Sequence, residues 1–174
     1  LAHERGLADA LRGSSSTAAL QGRIYDEERS ETAIVMEPYK WYPQRAGRVD
    51  LIVERAQATH TNTSAVIRQE IAKLLIMSKT AQWTARRARA AQQQGRPQGP
   101  EGSLGKLASS NVARAAAHVH TLISGTDAML TGEHSPLEGI IAEILVSVPA
   151  ISIAGGADEI QRNIISERVL GMAK

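Results

Sequence analysis

Two neighbouring histidines, His118 and His120, are the side chains in this sequence that most suggest metal or acid–base chemistry. They fall in a segment with a helical pattern, where side chains two residues apart point about 200° apart around the axis. Two ligands directed so differently cannot share one ion, so we predict no metal site. The chain has no cysteine, which excludes thiolate metal ligands, disulfides and cysteine nucleophiles. We also find no Gly-rich phosphate loop and no serine triad.

Charge and hydropathy argue against two further classes of protein. The formal net charge is only +2, and the densest basic run is Arg86, Arg87 and Arg89. We interpret this run as a solvated helix end, because nucleic-acid surfaces more often carry several such runs or aromatic residues that stack on bases. The most apolar stretch, residues 140–153, contains Glu143 and Pro149 and does not reach the length of a membrane span. A chain without cysteine agrees with a cytoplasmic location.

The composition favours helices throughout. Aromatic residues make up 3% of the chain and Phe is absent, whereas small and straight-chain residues, which suit closely packed helices, are abundant. The clearest periodic segment has apolar or small residues at spacings of three and four; Asn62 or Thr63 is predicted to cap it, and Gly95 to end it. Its predicted inward stripe consists of Ile67, Ile71, Leu74, Leu75, Ser78, Ala81 and Ala85.

Caps and helix breakers place two further long helices. Ser103 can cap one that ends at Gly125. Ser135-Pro136-Leu137-Glu138 matches a capping box with Pro at the first helical position, so another helix is predicted to begin there. It is predicted to end near Pro149, because proline interrupts the helical hydrogen bonds.

The remaining predictions complete a bundle. Asp158 is predicted to cap a last helix that ends at Gly171. Shorter helices are predicted at residues 1–11 and 49–58, whereas prolines and charges make residues 23–48 an excursion between helices. Four long helices joined by turns predict an all-α, antiparallel four-helix bundle. The side chains of the last helix predicted to face inward are Ile160, Ile164 and Ile165.

Three segments resemble one known family. Residues 153–171 read IAGGADEIQRNIISERVLG. They resemble the terminal signature of acyl-CoA dehydrogenases, in which a small loop with Gly-Thr precedes Ile-Gln-Arg and a helix ending in Leu-Gly. Residues 99–107, GPEGSLGKL, and residues 1–6, LAHERG, resemble the starts of the third and first bundle helices of that family. The resemblance covers residues 1–8 and about 60–174, and residues 23–48 have no counterpart in it.

This resemblance implies that residues 1–174 are the C-terminal helical bundle domain of a longer flavoprotein of fatty-acid metabolism. The N-terminal helical domain and the middle β domain of the family are absent from the chain. The chain has no initiating Met and begins inside a helical pattern, so we expect it to be a fragment that is inactive by itself. The resemblance also implies FAD, an acyl-CoA substrate, an electron-transferring flavoprotein as acceptor, and a homo- or hetero-oligomer.

The implied reaction removes a proton from the carbon alpha to a thioester and a hydride from the beta carbon. Such a C–H is weakly acidic, so the base must be a desolvated carboxylate. Family members place this Glu either immediately before the Gly-Thr of the final loop, where this chain has Gly155, or in a Glu-Arg pair on the first bundle helix. The resemblance therefore assigns Glu4 as the catalytic base. The alternative is that Glu4 is a solvated carboxylate paired with a nearby cation.

The same resemblance assigns roles to residues around this base. Arg5 is expected beside the substrate, and the backbone N–H of Gly155 is expected to donate to the thioester carbonyl. Gly156, Ala157 and Glu159 are expected to contact the flavin, with Ala157 replacing the usual Thr. Arg162, on the last helix, is interpreted as a salt-bridging structural residue.

One departure from the family pattern leaves alternatives open. Homo-oligomeric members carry an Arg-x-x-Phe-Gly motif at the start of the second long helix, which reaches the FAD of a neighbouring subunit. This chain has Thr61-Asn62-Thr63-Ser64 there and no Phe anywhere. The subunit then holds its flavin differently or pairs with a different chain that supplies the motif. A catalytically silent partner subunit is therefore the second hypothesis, and an independent helical interaction module with a basic surface is the third.

Overall fold

The computed structural model describes residues 42–96 and 99–172, and the regular elements within these ranges are helical. The prediction of an all-α fold is confirmed. The predicted helix at residues 1–11, and residues 23–41 of the predicted excursion, lie outside the described ranges. The α-helices are α1 (Tyr42–Arg45), α2 (Ile52–Ala58), α3 (Ala65–Gln93), α4 (Glu101–Ser124), α5 (Ile140–Ile151) and α6 (Asp158–Leu170), and 3-10 turns lie at Val49–Leu51, Thr61–Thr63, Gly125–Met129 and Pro136–Gly139.

Helix α4 is the centre of the four-helix bundle, because it packs against α3, α5 and α6. Two apolar clusters lie on different faces of α4, and neither contains a residue of α6. One cluster joins α4 to α2 and α3, and the other joins α4 to α5 and to the 3-10 turn at Gly125–Met129. The buried members of the first are Ile52, Ala56, Leu74, Ala116, Val119 and Ile123, and those of the second are Ala113, Ala128, Ile141, Ile144 and Val148.

Helix α3 begins at Ala65 because the Oγ atom of Ser64 accepts a hydrogen bond from the N–H of Ile67 at 3.5 Å. The predicted cap at Asn62 or Thr63 is therefore wrong by one or two residues, since those residues belong to a 3-10 turn. The predicted stripe is confirmed at Ile67, Ile71 and Leu74, which pack in the first cluster. It fails at Leu75, which is 40% exposed, and at Ala85, also exposed.

Two predicted helix starts are wrong. Ser135 does not begin α5, because Leu137 and Glu138 have φ angles of +50° and +54° and belong to a 3-10 turn. Ser103 does not cap α4, which begins two residues earlier, directly after Pro100.

Two predicted breaks in the helices are also corrected. Pro149 does not end α5, which continues to Ile151. Proline removes one backbone donor, here the one that would bond to the carbonyl of residue 145, and the helix continues for only two residues beyond it. At the start of the described residues, Tyr42–Arg45 is helical although the sequence places it in the predicted excursion. Pro43 is the second residue of this helix, a position where a missing N–H costs nothing.

Gly47 brings the segment before α2 into direct contact with α4. A Cβ atom at Gly47 would lie 2.7 Å from the Cβ of Ala116, and the φ angle of Gly47 is +82°. The fully buried His120 holds the same turn, with Nε2 3.1 Å from the carbonyl oxygen of Gly47 and 3.2 Å from that of Arg48. Both partners are acceptors, so Nε2 carries the proton. His118 is exposed, so the two histidines face different environments, as their spacing predicts.

Candidate functional site

A loop at residues 152–157 connects α5 to α6 and contains the three loop residues for which the resemblance implies a role. Two consecutive glycines give the loop its shape, with φ angles of +71° at Gly155 and +96° at Gly156. Residues with a Cβ rarely adopt such angles. A Cβ at Gly156 would also lie only 2.8 Å from the Nε2 atom of Gln161. The backbone conformation therefore favours glycine at this position, and a Cβ there would displace the Gln161 amide.

Gln161 reaches back from α6 to hold this loop. Its side chain is nearly buried, and its Nε2 donates to the carbonyl oxygens of Gly155 at 3.2 Å and Gly156 at 3.4 Å. The carbonyl and the N–H of a trans peptide point in opposite directions. Fixing these two carbonyls therefore directs the N–H groups of Gly156 and Ala157 away from Gln161.

Three consecutive backbone donors near the end of this loop are free within the described residues, whereas those of Ser152, Ile153 and Ala154 donate to carbonyls of the last turn of α5. Within the described part of the chain, the N–H groups of Gly155, Gly156 and Ala157 donate to no other group. Gly155 is exposed, and the other two residues are half-buried. Three consecutive free donors at the start of a helix can bind an oxygen that carries negative charge.

Asp158 anchors the end of the loop to the central helix. Its Oδ1 accepts from the Nζ of Lys106 at 2.8 Å, and its Oδ2 accepts from the Nη1 of Arg114 at 2.7 Å. Burial by itself opposes ionisation of the Asp158 carboxyl. The hydrogen bonds from Lys106, Arg114 and Ser110 outweigh burial and hold the pKa of this carboxyl well below its usual range. The carboxylate is therefore a permanently charged link between α6 and α4 at neutral pH.

The start of the loop is tied to the same link. The backbone N–H of Asp158 donates to the carbonyl oxygen of Ser152 at 3.0 Å, which closes the loop into a compact turn. The Nη1 atom of Arg114 also donates to the hydroxyl of Ser152. Both ends of the loop are thus held to one arginine of α4, while Gln161 holds its middle.

The sequence assigned Asp158 to the capping position, and this assignment is wrong. Asp158 is the first residue of α6, Ala157 is the capping residue, and the side chain of Ala157 cannot accept a hydrogen bond. The Asp158 carboxylate is engaged by cations of another helix instead of by the backbone of α6. Ile160 does not face inward as predicted, because it is 51% exposed, whereas Ile164 and Ile165 are half-buried.

Three predicted site residues, Glu159, Glu4 and Arg5, lie outside the loop. The side chain of Glu159 is 77% exposed and accepts only a long hydrogen bond of 3.5 Å from Nη1 of Arg162. This pair agrees with the interpretation of Arg162 as a salt-bridging residue. Glu4 and Arg5 lie outside the described residues. Their approach to the loop therefore stays a prediction.

Sequence reasoning missed the residues that hold the loop. Gln161 is part of the Ile-Gln-Arg segment, so its place in the signature was a signal that its side chain has a specific role. Lys106 and Arg114 carried no such signal, because they precede Asp158 by 52 and 44 residues. Such ion pairs depend on how α4 and α6 pack, and no local pattern encodes that packing.

A groove between α3 and α4 is a second surface feature. It has a volume of about 410 Å³ and is mostly apolar. Trp83 and Ile76, both on α3, are 63% and 66% exposed. Apolar side chains that remain exposed beside an apolar groove are typical of a surface that packs against another element. The residues that line the groove include Ile76, Met77, Ala81, Leu104, Ala108 and Val112.

The described residues contain neither a candidate membrane span nor a cluster of metal-ligating side chains. None of the helices described has the length and the hydropathy that crossing a membrane requires. Within residues 42–96 and 99–172, no three His, Asp or Glu side chains group together as metal ligands would.

Comparison with solved structures shows a related fold. A chain in the crystal structure of the ChsE4-ChsE5 complex from Mycobacterium tuberculosis superimposes with a TM-score of 0.56 at 21% sequence identity. The match covers 64% of this chain and 29% of that chain, so the chain matches less than a third of the length of its solved relative. No curated protein sequence matches this chain significantly.

Comparison with family models identifies the chain. The model described as "Acyl-CoA dehydrogenase, C-terminal domain" matches residues 45–170. The matched range begins in α1 and ends with the last residue of α6, so it contains the loop, Gln161 and the Asp158 link. It also covers well over half of the 174 residues. The chain therefore belongs to the acyl-CoA dehydrogenase family, of which it carries the C-terminal domain.

Proposed function

We propose that this chain acts as the C-terminal domain of a flavin-dependent acyl-CoA dehydrogenase, which converts an acyl-CoA thioester to the 2-enoyl-CoA. The observation that carries the proposal is the loop at residues 152–157, whose free N–H groups are held in place by Gln161 and Asp158. Family membership supports the oxidoreductase lineage. N-terminal helical and middle β domains, which are not part of these 174 residues, complete the active site in this proposal.

The residues of the chain have distinct tasks in the proposed reaction. Glu4 takes the proton from the carbon alpha to the thioester. The N–H of Gly155 donates to the thioester oxygen, which stabilises the negative charge that develops there as the proton leaves. Arg5 adds positive charge beside the same site. A desolvated carboxylate is a stronger base than one in water, because burial raises its pKa toward that of the group it must deprotonate.

FAD, when bound, would supply the acceptor for the hydride that leaves the beta carbon. The donor set of the loop fits this cofactor, because the flavin ring carries carbonyl oxygens and ring nitrogens that accept hydrogen bonds. The N–H groups of Gly156 and Ala157 have no other partner in the described residues, and the carboxylate of Glu159 is exposed. Ala157 has no hydroxyl, so only its backbone is available to the cofactor. We propose an electron-transferring flavoprotein in the cytoplasm as the partner that would reoxidise the complete protein.

The test is flavin content and flavin reduction of the complete protein that contains this chain. We expect the purified protein to be yellow, and its flavin absorbance to bleach when an acyl-CoA is added without oxygen. The 174-residue chain alone is the control: we expect it to be helical by circular dichroism, to bind little FAD and to be inactive. A complete protein that holds FAD but is not reduced by any of a series of acyl-CoA thioesters would contradict the proposed reaction.

A second candidate function is a catalytically silent subunit that assembles with an active partner chain. It is favoured by the absence of Phe, and therefore of the Arg-x-x-Phe-Gly motif, at the start of α3. The exposed Ile76 and Trp83 offer an apolar surface for assembly, and the solved relative comes from a complex named for two different chains. The ratio of bound FAD to this chain decides between the two functions. An active subunit copurifies with flavin and with activity that depends on Glu4, whereas a silent subunit contributes neither.

A further inference from the structure

Gln161 is an unusual residue in its setting, because a nearly buried side-chain amide is used to hold the backbone of an exposed loop. It is 7% exposed, while Gly155, which it contacts, is exposed. Its own backbone N–H continues the helix by donating to the carbonyl of Ala157 at 3.0 Å. The side chain is therefore not needed to cap α6. Its hydrogen bonds act on the loop alone.

The loop depends on these hydrogen bonds. Two consecutive glycines have the largest conformational freedom of any residue pair, so the peptides around them are the least restrained part of the turn. The link through Asp158 fixes the ends of the loop at Ser152 and Asp158. Within the described residues, only Gln161 binds the carbonyls of Gly155 and Gly156.

We propose that Gln161 is a positioning residue for the thioester carbonyl of the substrate. By holding the carbonyls of Gly155 and Gly156 on one side, Gln161 fixes the peptide planes whose N–H groups face the other side. Holding the carbonyl of Gly155 also restrains the backbone of that residue, so its own N–H, the donor assigned to the thioester, meets the thioester oxygen in one orientation. This inference rests on the proposed function, and it adds a residue that acts through the backbone instead of touching the substrate.

Gly156 and Gln161 form a matched pair in this arrangement. The space between the loop and α6 is filled by the Gln161 amide, because a Cβ at Gly156 would lie 2.8 Å from Nε2. The amide therefore approaches the backbone as closely as it does only because position 156 has no side chain. A residue at position 161 without a donor would occupy the space but leave both carbonyls without a partner.

The experiment compares two ligands in the complete flavoprotein and in its Gln161→Met variant, which keeps the length of the side chain and removes the donor. The ligands are the acyl-CoA thioester that best reduces the wild-type flavin and the alkyl thioether of CoA with the same chain, which lacks the carbonyl. We expect the wild type to prefer the thioester by about tenfold or more, because backbone donors bind its oxygen. Gln161→Met should lose most of that preference, with thioether binding unchanged.

Three further measurements make the result decisive. Gln69→Met, at an exposed glutamine of α3, is the matched control and should behave as the wild type. Thermal unfolding and flavin content show whether Gln161→Met folds correctly. If it does not, Gln161→Glu, which also lacks the amide donor, takes its place in the comparison. If both variants unfold, Gln161 is a folding residue and the proposal is wrong.

The two possible failures are distinguishable. A Gln161→Met variant that keeps the full preference for the thioester overturns the positioning role and leaves the proposed reaction intact. A wild-type protein that binds neither ligand, and whose flavin no thioester reduces, rejects the proposed function and this inference together.

Discussion

The carboxylate of Asp158 lies 2.8 Å from the Nζ atom of Lys106, although 52 residues separate them in the chain. With Arg114 bound to its other oxygen, Asp158 joins the first turn of α6 to the middle of α4. A carboxylate in the first turn also complements the partial positive charge of the helix N-terminus. Asp158 thus fixes where α6 begins, and through α6 it fixes where Gln161 meets the loop.

Asp158→Asn should destabilise the protein, because the amide leaves two cations without their charged partner. We expect a loss of about 2 kcal/mol, below the roughly 3–5 kcal/mol typical of breaking a fully buried pair, since the Arg114 side chain is 41% exposed. Urea unfolding measures this loss. Glu54→Gln, at an exposed position of α2, is the control and should change stability by less than about 0.5 kcal/mol. Equal stability of the two variants would contradict the role of the link.

The ion pairs of Asp158 also predict part of the stability that the folded protein loses in acid. The pKa of Asp158 is lowered in the folded protein, whereas an unfolded Asp titrates near pH 3.9. The contribution of Asp158 to the free energy of unfolding is therefore complete above about pH 4, and it is lost as the pH falls further toward the folded-state pKa. Urea unfolding of the wild type and Asp158→Asn at several pH values tests this, because their stabilities should converge in acid.

His120 predicts a second pH dependence, at higher pH. Burial lowers the pKa of His120, and the charge of Arg55 lowers it further, while its hydrogen bonds to the carbonyls of Arg48 and Gly47 and the charge of Asp50 oppose this. An unfolded His titrates near pH 6.5, so the unfolded state binds a proton more readily, and stability should fall as the pH drops below about 6.5.

The variant His120→Gln tests this dependence, because glutamine can still donate to the same carbonyls but does not titrate. We expect a flatter stability curve between about pH 6.5 and 5 than in the wild type. His118→Gln, at an exposed histidine of the same helix, should keep the wild-type slope. A wild-type slope in His120→Gln would mean that another group causes the loss.

Two glycines of the bundle should respond oppositely to alanine. Gly47→Ala places a Cβ 2.7 Å from that of Ala116 at a φ angle of +82°. We expect a loss of about 3 kcal/mol from overpacking and backbone strain. Gly105→Ala, inside α4 with nothing within 4 Å of the added Cβ, should gain about 0.5–1 kcal/mol, because alanine favours the helix. Thermal unfolding of both variants checks the signs.

The features that sequence could predict are those that repeat along the chain. The stripe through Ile67, Ile71 and Leu74 on α3 recurs at helical spacing, so its helix was correctly predicted. The capping box at Ser135 failed because the backbone after it is not α-helical. Leu137, Glu138 and Gly139 all have positive φ angles, so the chain turns before α5 begins. The four residues of the capping pattern do not encode that backbone conformation.

The same distinction applies to the candidate site. Gly155 and Gly156 were predicted as site residues because the sequence around them matches a family signature. Their positive φ angles explain why glycine is needed there. The role of Gln161 could not be read from its type, since a glutamine in a helix is most often solvated. Its function depends on the backward turn of the loop, which only the packed structure reveals.

The last prediction concerns the base itself. In the complete flavoprotein, Glu4→Gln should keep the fold and the flavin but abolish proton abstraction, because the amide preserves size and loses basicity. We expect flavin reduction by acyl-CoA to slow by on the order of four decades, since Gly155 stands at the other position that the family uses for its carboxylate. Substrate binding should persist, because the thioester oxygen still meets the loop held by Gln161.

Glu54→Gln, the matched control on α2, should reduce its flavin at the wild-type rate. Rapid-mixing spectroscopy of flavin bleaching measures both rates, and a Glu4→Gln variant that bleaches as fast as its control would place the base elsewhere and favour the silent-subunit hypothesis.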